Sequence, residues 1–169
     1  MNSLFPGTPS TILIIGIGNE FRSDGNVGRI NARTLEDLDI PNVSIVESSG
    51  DGVELRRLWA ATESVVVIEA FEGAGEPGAV LRVVANEGAL PLAMFHSSSH
   101  EFGLAHAIEL SRNLRDLPPS LIVYGIRGKN FSGGTNLSPE VERSMTQVLG
   151  MILQDVKALQ DVSRPEEEF

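Results

Sequence analysis

The chain has 169 residues, no cysteine, and 13 lysines and arginines against 23 aspartates and glutamates, a formal charge of −10. That length suits one domain burying roughly 70% of the surface its unfolded chain exposes. The absence of thiols excludes disulfides, thiolate metal sites and a cysteine nucleophile, and the acidic balance repels nucleic-acid phosphates and anionic membrane surfaces. The opening "MNSLFPGTPS" has no basic n-region and is broken by prolines, and no apolar run approaches the ~18 residues of a membrane span, so we expect a cytoplasmic protein. Residues 1–10 and 161–169 read as flexible ends around a single domain over 11–160, the acidic "SRPEEEF" carrying no fold.

In chain order, "TILIIG" at 11–16 is continuously apolar and rich in β-branched residues, the pattern of a central strand buried on both faces. From Asn26 to Asp39, Val27, Ile30, Leu35 and Leu38 share one arc of a helical wheel, and Pro41 ends the segment. A second strand is expected over 43–47, a short helix over 53–61 and a third, fully buried strand over 64–70. Only "FEGAGEPG" separates this strand from the next, at 79–84. A parallel crossover needs a dozen or more residues, so the connection should reverse and leave an antiparallel edge strand. A loop over 85–97 then precedes a helix from about Ser99 to Arg115, and 121–126 forms the last strand. Val141, Met145, Val148, Leu149, Ile152, Val156 and Leu159 give the final helix its stripe, with Ser138 and Pro139 suited to its N-cap and first turn. These elements predict an α/β three-layer sandwich: a twisted five-stranded, mostly parallel sheet with one antiparallel edge strand and helices on both faces.

In such sheets ligands bind beyond the carboxyl ends of the strands, near the point where strand order reverses. If strands one and three are neighbours, that place receives Asn19, Glu20 and Asp24 from one loop and Glu69 from the other. A carboxylate directly after "VVVI" is costly unless it faces an open crevice or a cation. In "HSSSHEFG", Ser98 and Glu101 fit a capping box that places His100 in a first helical turn, its imidazole neutral and suited to a metal. Bland readings stand beside these: Asp24 as a helix cap, Asn19 as a turn former, His100 as a satisfied loop histidine and His106 as a partly buried helix residue. A dinucleotide site competes through Gly16-x-Gly18, but the third glycine of the fingerprint falls on Phe21 and the segment is polar and loop-like.

Four stretches in this order, "GIGNEFRSDGNVG", "VVVIEAF", "SSSHEFGL" and "YGIRGKNFSGGTNLSPEV", resemble the maturation endopeptidases of [NiFe] hydrogenases from Ile12 to about Leu153. The resemblance implies a metal-dependent protease that recognises nickel already installed in the hydrogenase large-subunit precursor and removes its C-terminal extension. It also implies that nickel arrives with the substrate, another divalent cation being able to stand in for it in vitro. The family's metal contacts are two acidic residues and a histidine. Carried over, they give Glu69, where the family usually has aspartate, and His100, while the first position is Gly25. The missing oxygen then comes from Asp24, from Glu20, or from the substrate itself, so the expected catalytic and metal-contacting set is Glu69, His100 and Asp24. A member lacking activity would act as a binding partner of the precursor, and a nucleotide-binding α/β protein is the more distant alternative. No nucleic acid or membrane partner is expected, and a monomer is the expected state.

Overall fold

A computed structural model describes residues 11–96 and 100–163. All six residues of β1 (Ile12–Ile17) are buried, because the strand pairs in parallel with β2 (Val43–Ser48) on one side and β3 (Ser64–Phe71) on the other. Next to β3 lies β5 (Ser120–Arg127), also parallel, and β4 (Val80–Val84) closes the sheet as an antiparallel edge strand. The sheet order is β2-β1-β3-β5-β4, so strand order reverses between β1 and β3, and the short connection after β3 does turn the chain around. The expected five-stranded α/β sheet, mostly parallel with one antiparallel edge, is the observed one.

Alternation along the strands divides the core into two layers. Leu13, Ile15, Val65, Val67, Leu121 and Val123 face α2 (Gly52–Trp59), α3 (Leu92–His96) and α4 (Leu104–Asn113), whose Leu55, Trp59, Met94, Leu104 and Ile108 fill that side. Ile12, Ile14, Val66, Ile68, Ile122 and Tyr124 face α1 (Val27–Asp37) and α5 (Pro139–Val162), with Val27, Leu35, Val141, Val148, Ile152 and Val156. The helix α1 seats closely on the switch point. A β-carbon on Gly28 would lie 2.2 Å from the Ile17 carbonyl oxygen and 2.3 Å from that of Ile68, so only glycine permits this contact.

Three expectations are corrected. In α1 the buried stripe is Val27, Gly28, Asn31, Ala32 and Leu35, whereas Leu38 is exposed, since the helix stops at Asp37 and Asp39 turns away with φ +49°. A short helix, α3, occupies part of the expected 85–97 loop. The helix expected from Ser99 begins only at Leu104, with Gly103 as its extended N-cap. The residues ahead of it are tied to another element: the Phe102 carbonyl accepts from Gly52 N–H at 2.9 Å, and a β-carbon on Gly52 would overlap the Phe102 ring at 2.2 Å. His100 therefore lies in a loop held to the start of α2, outside any first helical turn. Ser98, the expected cap, lies outside the described residues.

The edge strand is fastened across the sheet. Arg82 donates two hydrogen bonds to the Asp155 carboxylate of α5, at 2.9 and 2.8 Å, and the Tyr124 hydroxyl donates to the same carboxylate. Burial, then the bond to Asp155, pushes the Tyr124 hydroxyl pKa upward. Among the described residues no helix is long and apolar enough to cross a membrane.

Candidate active site

The loop after β1 and the glycine-rich loop after β5 form one wall of the sheet's carboxyl edge, and Asp24 joins them. Its buried carboxylate accepts from the backbone N–H groups of Lys129, Asn130 and Ser138, at 2.8, 2.8 and 2.7 Å, and from the Ser138 hydroxyl at 2.6 Å. Burial alone would raise the Asp24 pKa, but the bonds from Ser138, Asn130 and Lys129 outweigh it and hold the carboxyl below its ordinary value. Ser138 does occupy the N-cap of α5, with Pro139 opening the helix, but its hydroxyl is turned to Asp24 and makes no cap bond of its own. Further stitches follow the same seam: Ser23 N–H to the Gly134 carbonyl, Ser23 Oγ to the Ser132 carbonyl and Asp24 N–H to the Asn130 carbonyl. Ser23 is held at φ +50°, a strained setting for a non-glycine residue that this dense bonding sustains.

Expected as a helix cap or a third metal contact, Asp24 is instead the clamp between two loops. Its oxygens are committed to four donors, three of them backbone groups 105 to 114 residues away in sequence. Among the described residues no three histidine, aspartate or glutamate side chains converge as a metal-holding group. Glu20, the other substitute considered, is drawn into a surface network in which Arg29 and Arg33 pair with Glu20 and Glu47 at 2.8–3.2 Å. Gly25 stands between Arg22 and Phe131: a β-carbon there would sit 3.1 Å from Arg22 Cβ and 3.6 Å from the Phe131 ring.

Glu69 and His100 lie on either side of one turn. Gly50, at φ +94° after β2, lies between them. A β-carbon on it would be 3.9 Å from Glu69 Oε1 and 3.9 Å from His100 Cδ2, so no more than twice that distance separates the two side chains. The same β-carbon would press on Ile17 Cγ2 at 2.8 Å, so the turn is restricted to glycine by both space and backbone angle. His100 is oriented by the Ser49 carbonyl, 3.2 Å from Nε2. Glu69 is half-buried, and among the described residues no hydrogen bond or ion pair reaches its carboxylate. Removal from water pushes its pKa up to about 8. A carboxyl in that state gains from an arriving cation, which replaces its proton and supplies the charge partner the protein withholds.

Beside His100 opens a cleft of about 440 Å³, lined by Gly18, Asn19, Glu20, Phe21, Arg29, Ser49 and His100. That volume lies in the range of about 300–1,000 Å³ usual for ligand sites. Asn19 acts as the turn former its type suggests, accepting from Phe21 N–H at 3.0 Å, and borders the cleft as well. His106 is half-buried and packs between the rings of Phe95 and Phe102. Sequence reading missed Gly50 and the Asp24 partnership with Ser138. The glycine following "ESS" was a visible turn signal for the first; nothing local signals the second.

This geometry can be set beside known proteins. Residues 28–155 match the sequence profile of the hydrogenase maturation protease family (HycI). The chain is 26% identical over 163 residues to the hydrogenase expression/formation protein HupD of Thiocapsa roseopersicina, spanning 93% of this chain and 72% of that one. Its fold is similar to that of the hydrogenase maturating endopeptidase HybD from E. coli, with a TM-score of 0.73 at 22% identity over 88% of this chain and 93% of that one. It is also similar to the [NiFe] hydrogenase maturation protease HycI from Thermococcus kodakarensis, with a TM-score of 0.65 at 24% identity over 89% and 95%. The profile match extends over most of the chain, from the start of α1 into α5, and on that ground this chain belongs to the hydrogenase maturation protease family and is a protease enzyme.

Proposed function

We propose that this protein is an endopeptidase that removes the C-terminal extension of a [NiFe]-hydrogenase large-subunit precursor, and that the nickel it depends on enters as part of that substrate. The observation that carries the reading is the placement of Glu69 and His100 on either side of Gly50, with a carboxyl raised to about 8 and unpaired among the described residues. Two protein donors are too few for a resident ion but suit one whose remaining ligands belong to the substrate. The docked ion supplies Lewis acidity to amide hydrolysis. Glu69 and His100 fix where it comes to rest, Gly50 leaves the gap between them open, and the Asp24 clamp keeps the wall of the cleft rigid. Glu69 must lose its proton to bind a cation, so docking weakens as pH falls below about 8.

Incubating nickel-loaded precursor with wild type, Glu69→Ala and His100→Ala, and following the precursor mass, tests the assignment. Trimming by the wild type and its loss in both variants is the expected result. Equal trimming by all three removes both residues from the site, and an untrimmed tail in tight complex with the wild type would make the protein a binding partner of the precursor.

A further inference from the structure

We propose that Phe21 is a specificity-determining residue that receives an apolar side chain of the precursor peptide next to the bond to be cut. Among the large apolar side chains exposed in the described residues, Phe21, at 70% exposure, is the one that lines the cleft shared with His100. An exposed ring is unremarkable on a mobile loop, but the backbone that carries this one is held at both its polar groups. Its N–H is held by Asn19 Oδ1 at 3.0 Å and its carbonyl by Gly134 N–H at 3.0 Å, one bond to its own turn and the other to the glycine-rich loop. The next residue reinforces the mount: Arg22 donates to the Phe131 carbonyl at 3.3 Å and lies over the Phe131 ring. A backbone already fixed spares the entropy of ordering the loop when a peptide docks, which is what a recognition surface requires.

The walls around it select the kind of side chain accepted. Glu20 and Arg29, the acid and the guanidinium lining the cleft, are paired with each other at 3.2 Å, and Arg29 also meets Glu47 at 2.8 Å. With their charges compensated, they give an incoming charged group little net attraction, whereas Phe21 offers uncovered apolar surface that gains by being removed from water. The inference rests on the endopeptidase reading above and adds what determines which peptide is seated.

The test uses the nickel-loaded large-subunit precursor trimmed by the wild-type protein. Phe21→Ala is expected to raise KM about tenfold with kcat held, the pattern of lost substrate binding, and Phe21→Leu to restore most of it. Thermal melting should leave both variants like wild type, because the ring is exposed. Direct binding of precursor to each variant gives the same ranking without requiring turnover. Alanine substitution of each residue within four positions of the cut should reveal one apolar side chain whose effect disappears in the Phe21→Ala protein. Unchanged KM and unchanged binding in Phe21→Ala overturn the inference while leaving the endopeptidase reading intact. Failure of the wild type to trim the precursor, with Phe21→Ala still weakening its binding, overturns that reading and leaves the docking role. No binding and no trimming by the wild type overturns both.

Discussion

Replacing Glu69 with glutamine should stabilise the protein while abolishing its function. Burial pushes this carboxyl up to about 8 from an ordinary value of 4.5, and an amide of the same shape cannot ionise. Between about pH 4.5 and 8 the folded protein keeps a proton that the unfolded chain has released. Native stability therefore falls as pH rises through that window. Below it both states are protonated and the cost vanishes; above it the cost is complete. At about 1.4 kcal/mol for each tenfold step, the ceiling is about 5 kcal/mol. The side chain is only half-buried and retains some contact with water, so we expect about 2 kcal/mol. Denaturant unfolding of metal-free protein at pH about 5 and about 8.5 reads the difference. Glu69→Gln should match wild type at the lower pH and exceed it by about 2 kcal/mol at the higher, with trimming lost. A variant no more stable than wild type at the higher pH would refute the picture of an unpaired, half-buried acid whose charge is costly in the folded state.

Asp24→Asn exchanges an acceptor oxygen for a donor that faces backbone N–H groups, and should cost about 3 kcal/mol by urea unfolding; a loss below about 1 kcal/mol would show that the clamp is dispensable. Because the Asp24 pKa is depressed, its contribution is complete above the unfolded value near 3.8 and is lost as pH falls through the folded one, so wild type should lose more stability in acid than the variant does. Gly28→Ala forces a methyl onto the Ile17 and Ile68 carbonyls and should prevent folding, read as loss of the cooperative thermal transition; a wild-type melt would mean that α1 is not seated as described. Glu47→Ala removes one arm of the exposed Arg29 and Arg33 network and should change stability by less than about 1 kcal/mol, with a larger loss in denaturant titration showing that the network braces the cleft.

Much of the fold was legible because it is written in local patterns. Continuous apolar runs marked β1, β3 and β5, the seven-residue stripe marked α5, and the brevity of the segment after β3 imposed the reversal that makes β4 an antiparallel edge. Glu69 stood out because an acid after a buried strand demands a reason, and the structure places it where the strand order reverses. The start of α4 was misread for the opposite cause. Whether residues 100–103 continue a helix depends on Gly52 and Phe102, which meet only when α2 and the loop pack together.

Asp24 shows the same division most sharply. Its type and its place in the motif made it a candidate for cap or ligand, and both readings were chemically sound. Its fate was decided by donors more than 100 residues downstream, which no periodicity or spacing could reveal. Residue chemistry and hydrophobic pattern thus determined the strands, the layers and the presence of an acid and an imidazole at one end of the sheet. Only the tertiary structure decided which carboxylate remains unpaired among the described residues and which is consumed in holding two loops together, because hydrogen-bond partners are allotted by proximity in space.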